Sequence, residues 1–250
     1  VGDETPYLLD PDHWDWGTTG SIPHLLVSHL GYTAIAVLVG FVIAFPIGLL
    51  IGHTGRGSFL AINAGNAGRS LPTLGLLSLL VVLMGLRFTP VLIALVVLVI
   101  PPILTSTYAG LRSVDHNAVD AAKGMGMTSS QVLFRVELPM ALPVVFGGFR
   151  AAVLQVVATA TVAAYVGQSG LGRLLVDGLA LNDYGRVVAG AVVVAALAIV
   201  LDLLLGLVQR YVVSPGITGR GSSRARRAGS VAESPADIEL VGAGSSKGTT

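Results

Sequence analysis

The chain has 250 residues, 53% hydrophobic and 12% charged, with a mean hydropathy of +0.78. Soluble domains run at about 45–50% apolar and about 25% charged, so this composition excludes an ordinary soluble protein and indicates an integral membrane protein. Near-equal acids and bases leave a net charge of +1, which gives no reason to expect a nucleic-acid partner, and zero cysteines exclude disulfides, thiolate metal sites and cysteine nucleophiles.

Residues 1–25 read as an acidic leader carrying Asp3, Glu4, Asp10, Asp12 and Asp15, and Arg56 is the first basic residue. A cleavable secretory signal begins with positive charge, so the leader is not expected to be one. Crossing about 30 Å of hydrocarbon takes about 20 mostly apolar residues in a helix, which satisfies its backbone internally. Five stretches meet this requirement, at about 26–52, 60–86, 89–111, 143–166 and 186–211. The second is the most interrupted, because Asn63, Asn66 and Arg69 crowd its start. Pro46, Pro72 and the pair Pro101-Pro102 lie inside spans and are expected to kink a helix or unwind a turn. Gly48-x-x-x-Gly52 permits close helix packing, although 32 glycines make that spacing easy to meet by chance.

Orientation follows from Lys and Arg in the short loops. With the N-terminus outside, the inner side holds ten basic residues: Arg56, Arg112, Lys123, Arg135, Arg210, Arg220, Arg224, Arg226, Arg227 and Lys247. The outer side then holds Arg87, Arg173 and Arg186. The expected fold class is therefore all-α, a polytopic membrane protein with about five transmembrane helices, N-out and C-in. Residues 26–213 form the membrane domain, and 214–250, rich in Gly, Ser and charge, are expected to be a disordered cytoplasmic tail.

Residues 112–142 interrupt the apolar runs with a patterned polar segment on the predicted inner side. Ser113 is placed to cap a first short helix, with Asp115 in its first turn. Val114, Ala118, Ala121, Ala122 and Met125 share one face of it, small enough for close approach to another protein. Gly126 supplies a left-handed stop. Thr128-Ser129-Ser130-Gln131 is a capping box, Met127 and Val132 form its hydrophobic staple, and the second short helix is expected to stop at Pro139. The segment reads as two short helices joined by a fixed corner.

Asp120-Ala121-Ala122, Gly126, Val136, Leu138 and Pro139 stand at the spacing E-A-A, three residues, G, nine residues, I-x-L-P, with Asp for Glu and Val for Ile. In this the segment resembles the coupling loop of permease subunits of bacterial binding-protein-dependent ABC importers. LPTLGLL at 71–77, PPILTSTYAGL at 101–111, RAAVLQVVATATVAAYVGQSGLG at 150–172 and DLLLGLVQR at 202–210 resemble the branch importing osmoprotectants such as glycine betaine, carnitine, choline or proline. The resemblance covers about residues 26–213. It implies a bacterial inner-membrane subunit whose coupling residues insert into a groove of a separate cytoplasmic ATPase. It also implies a second permease subunit, identical or paralogous, and an extracytoplasmic substrate-binding protein. ATP and Mg would be held by the partner ATPase, with no cofactor in this chain. Methionine and sulfonate importers share the coupling signature and stand as the alternative substrate classes.

The sequence has no G-x-x-x-x-G-K-[ST], no HExxH and no convincing Ser/His/Asp arrangement, so an enzymatic role is not expected. His13, His24, His29, His53 and His116 are scattered and read as structural or surface residues. The ionisable residues inside spans are Arg69, Arg150 and Asp202. Asp202 is expected to face protein or to neutralise a cation such as Arg150 or Arg69, and Arg150 and Arg69 are also able to snorkel to the inner interface. One acid is thin support for an ion-coupled carrier, and a passive scaffold would have no use for a capped corner.

Overall fold

A computed structural model of the chain describes residues 6–70 and 72–212. The tail, 214–250, lies outside the described residues, as does the side chain of Arg69. Among the described residues the regular elements are all helical: α1 Ile22–Thr54, α2 Ser58–Ser70, α3 Thr73–Met84, α4 Phe88–Arg112, α5 His116–Gly124, α6 Ser129–Val132, α7 Leu138–Thr159, α8 Gly172–Leu181 and α9 Tyr184–Val212. A π turn, Leu133–Glu137, joins α6 to α7, and a 3-10 turn, Ala160–Val166, extends α7.

Four helical runs are long and apolar enough to cross a membrane: α1, α4, residues Ser129–Val166 and α9. They coincide with four of the five expected spans. The remaining one, 60–86, takes a different form, because α2 and α3 are 13 and 12 residues long and each is too short alone. Pro72 sits before α3 with φ −73° and ψ 107°, an extended conformation. A proline also biases the residue before it away from the helical region. Elsewhere proline does less than expected. Pro46, Pro101 and Pro102 stay inside continuous helices, since the fixed φ of proline suits a helix and surrounding protein tolerates the one lost hydrogen bond.

α4 is the centre of the bundle, packed by α1 on one side and α7 on the other. The α1 contact is made by a stripe of small residues every fourth position: Ala36, Gly40, Ala44, Gly48 and Gly52 are all buried. A Cβ at Gly48 would stand 2.7 Å from Thr107 Cβ, and one at Gly52 would stand 2.8 Å from Leu111 Cβ. The expected Gly48/Gly52 packing is thus realised, as the end of a longer stripe. On the other side of α4, Gly148 of α7 lies against Ser106 so closely that a Cβ there would overlap it.

α9 returns antiparallel to α7, with Gln209 Nε2 donating to the Pro143 carbonyl at 3.4 Å. At one end of the bundle the start of α1 (Ile22, Leu25) and the loop into α8 (Leu171, Leu174) form a small apolar cluster covered by Tyr7 and Leu8. The leader's described residues, from Pro6 on, are folded there: a 3-10 turn, Pro11–Trp14, is capped by the Asp10 side chain, and the Tyr7 and His13 rings stack at 3.6 Å. Burial raises the Tyr7 phenol above its ordinary pKa, while the Gly17 amide and the Thr18 hydroxyl lower the Asp15 carboxyl. The patterned segment 113–137 sits at the opposite end, about 50 Å away along the 33 residues of α1.

A capped corner, a buried latch and a polar cleft

α5 is preceded by Asp115, whose Oδ1 accepts from the Asn117 amide at 2.9 Å. Asp115 is therefore the N-cap, in place of the expected Ser113. Ser113 instead ends α4, its hydroxyl donating to the Gly110 carbonyl at 2.7 Å. Gly126 turns the corner with φ +82°, as its position implied. The Thr128–Gln131 capping box is complete in both directions: the Gln131 amide donates to Thr128 Oγ1, and the Thr128 amide donates to Gln131 Oε1.

The second helix does not stop at Pro139. It passes through the π turn directly into α7, making one run from Ser129 to Val166. A proline in a helix loses its own donor and crowds the carbonyl four residues back. The wider π turn immediately before it accommodates both demands, and such turns recur at functional sites.

The face expected to receive another protein divides in two. Val114, Val119 and Ala122 are buried in a cluster with Leu49, Leu111 and Val132 that fastens the segment to α1, α4 and α7. Val136 and Leu138 pack against the same cluster half-buried, and Pro139 is also half-buried. Ala121 and Gly126 are exposed. Asp120 and Lys123 form a solvent-facing pair 4.0 Å apart, and Met125 (76%) and Phe134 (58%) stand out from the corner. Ala121, rather than Ala122, therefore belongs to the free surface.

One constellation was not anticipated. His53, on the last turn of α1, reaches Glu137 through Nδ1 at 2.5 Å and Ser129 through Nε2 at 2.7 Å. Glu137 is only 8% exposed. The hydroxyl–imidazole–carboxylate order is that of a nucleophilic triad, but the described clefts do not border Ser129, and acyl chemistry needs a substrate pocket with oxyanion donors. The groups are 76 and 84 residues apart, and a lone histidine in an apolar helix gives no sequence signal of its partners.

Within the bundle Arg150 and Asp202 form a two-pronged pair, so Asp202 takes the neutralising role open to it. Beside α4 a cleft of about 770 Å³ opens between α2, α3 and α7. Asn66, Thr73, Thr105, Ser106 and Gln155 give it hydrogen-bonding walls, and Pro101 and Pro102 line it too. Its described lining residues include no acid, base or aromatic ring.

The family model described as "Binding-protein-dependent transport system inner membrane component" matches residues 36–214. The glycine betaine/carnitine/choline transport system permease protein OpuCB of Bacillus subtilis (strain 168) is 32% identical over 200 residues, covering 80% of this chain and 92% of that protein. The osmoprotectant import permease protein OsmW of Salmonella typhimurium is 34% identical over 214 residues, covering 84% of this chain and 100% of that protein. The methionine ABC transporter MetNI, solved in inward-facing conformations, shares the fold with a TM-score of 0.66 at 22% identity, over 79% of this chain and 100% of that one. A helical membrane bundle carrying the capped corner at the spacing above, matched from the middle of α1 to the end of α9, belongs to the binding-protein-dependent transport system inner membrane components, the permease family of ABC importers.

Proposed function

We propose that this chain is the permease subunit of an ATP-driven importer for a small osmoprotectant of the glycine betaine, carnitine, choline or proline class. The observation that carries this reading is the 32–37% identity, over most of both chains, to permeases named for such solutes. The methionine transporter resembles the chain in fold alone, at 22% identity, and gives the alternative substrate no comparable support.

In this reading the end of the bundle bearing residues 113–137 faces the cytoplasm, the leader faces outward, and the membrane is the bacterial inner membrane. A separate ATPase subunit, which holds ATP and Mg, grips the exposed corner formed by Asp120, Ala121, Gly126 and the start of the following helix. Met125 and Phe134 are suited to anchor that contact, because exposed methionine and aromatic side chains are enriched in protein interfaces. Ala122, Val136 and Leu138 transmit the grip inward through the apolar cluster they share with α1 and α4, with Pro139 in the first turn of α7 beside them. A second permease subunit, identical or paralogous, faces this one, and an extracytoplasmic binding protein delivers substrate. The polar cleft beside α4 supplies part of the path, since an uncharged, hydrogen-bonding wall suits a zwitterion that must bind weakly and leave.

The test is reconstitution in proteoliposomes with the ATPase and binding protein, measuring ATP-driven uptake of labelled glycine betaine, choline and methionine at high salt. Uptake of betaine or choline but not methionine is expected, and the reverse order overturns the substrate assignment. Labelling of Lys123 from the extracellular side of intact cells overturns the orientation.

A further inference from the structure

We infer that His53 is a positioning residue for energy coupling: its imidazole ties the inner end of α1 to both ends of the second coupling helix, so that α1 turns with the segment. The inference rests on the reading of residues 113–137 as the part gripped by the ATPase. His53 lies in the last turn of α1, one residue before its end at Thr54, where Gly55 closes the helix with φ +69° and donates its amide to the Ile51 carbonyl at 2.9 Å. The ring is 17% exposed and the Glu137 side chain 11%, so both are largely shielded from water.

A carboxylate only accepts, so Nδ1 donates to Glu137 Oε2, and Nε2 is left to meet the Ser129 hydroxyl. Ser129 is the first residue of α6 and Glu137 the last of the π turn. One ring therefore spans the whole second helix of the segment. Among the described residues, these are the side-chain hydrogen bonds that join α1 to residues 113–137.

The apolar cluster beneath is non-directional. An imidazole with both nitrogens engaged fixes register, because movement away from Glu137 leaves a buried carboxylate unpaired and movement away from Ser129 breaks the second bond. The π turn strengthens the case. It is an uncommon backbone state, and it ends on the residue that holds the ring. α1 in turn lies along α4 through its small-residue stripe, and α4 walls the polar cleft. A movement delivered to His53 thus reaches the cleft through packed helices.

The test uses the full complex in proteoliposomes, with uptake and ATP hydrolysis measured on the same preparation. His53→Leu is expected to insert and assemble normally and to keep ATP hydrolysis, while substrate moved per ATP falls about tenfold, within the usual range of coupling between sites. Glu137→Gln, which still accepts from Nδ1, is expected to retain most of the coupling. Unchanged coupling in His53→Leu overturns the inference, as does a loss of hydrolysis in step with uptake, because either result makes the ring merely structural. Ala121→Arg on the exposed corner separates the two readings. If it abolishes uptake while His53→Leu is silent, the latch fails and the gripped corner stands. If it leaves uptake intact, the corner itself is wrongly assigned and the latch falls with it.

Discussion

Arg150 of α7 and Asp202 of α9 meet side by side, Nε to Oδ1 and Nη2 to Oδ2, both at 2.5 Å. The pair lies about 15–18 Å along its helices from the end of the bundle that bears residues 113–137, counting residues from Leu138 and to Val212. Two opposite charges held in a fork cancel within a bundle where either alone is costly. Asp202→Asn is therefore expected to lower the folded, inserted yield and the thermal midpoint in detergent, because Arg150 is left without a counter-charge. Arg150→Leu with Asp202→Leu together is expected to recover most of the loss, whereas a carrier using Asp202 for ion coupling would lose uptake in the double variant. Yield, melting and uptake of the two variants decide between these roles.

The small-residue stripe of α1 makes a quantitative prediction about packing. A Cβ at Gly48 falls 2.7 Å from Thr107 Cβ and 3.2 Å from the Leu104 carbonyl, and this crowding sits in a helix pair with no slack. Gly48→Leu is expected to cost about 1–3 kcal/mol or more through overpacking. Gly31, on the same helix, has nothing within 4 Å of a built Cβ. Gly31→Ala is expected to be neutral or to gain up to about 1 kcal/mol from reduced backbone freedom in the unfolded chain. Thermal melting of the two variants in the same detergent checks the contrast.

The parts legible in the sequence were those encoded by contiguous residues. Four spans followed from hydropathy, the Gly126 corner from glycine's tolerance of positive φ, and the Thr128–Gln131 box from its spacing. The failures lie either in local backbone states that carry no residue pattern or in contacts made across the bundle. Pro139 looked like a stop because the π turn that absorbs it has no pattern of its own. Span 60–86 looked continuous because hydropathy averages over the extended residue Pro72. Ala122 looked like free surface because the cluster that buries it is assembled from α1, α4 and α7. His53 was invisible as a latch because Ser129 and Glu137 reach it only after folding.

The corner itself is expected to be sensitive without being part of the core. Gly126 has φ +82° and nothing within 4 Å of a built Cβ, so any penalty for substitution there is conformational rather than steric. Gly126→Ala is expected to cost about 1–2 kcal/mol at the corner, with little change in global melting because the residue is exposed. Gly126→Asn, which tolerates the left-handed region better, is expected to be milder. In the proposed reading, co-purification of the ATPase subunit falls in the order wild type, Asn, Ala. Ala122→Arg is a poor probe of docking, since Ala122 is 2% exposed and a charge there disrupts the fold.

Two clefts border the central helices, and their chemistry separates them. The one beside α4 offers Asn66, Thr105, Ser106 and Gln155. The other, about 420 Å³ between α1 and α7, is lined by apolar residues, among them Phe41, Phe45, Phe146 and Phe149. A zwitterion moving through the bundle must exchange water for other hydrogen-bonding groups, and an apolar wall makes it pay the full desolvation cost. In the proposed reading, the carboxylate end of betaine would be served by the Gln155 and Asn66 amides. Losing one hydrogen bond to a charged group costs about 1.5–3 kcal/mol, which corresponds to roughly 10–150-fold in rate if the bond is made at the barrier. Gln155→Leu is therefore expected to reduce betaine uptake by at least about tenfold with ATP hydrolysis preserved. Phe146→Leu in the apolar groove is expected to change uptake little. Initial uptake rates in proteoliposomes check both, and equal losses in the two variants would remove the polar cleft from the path.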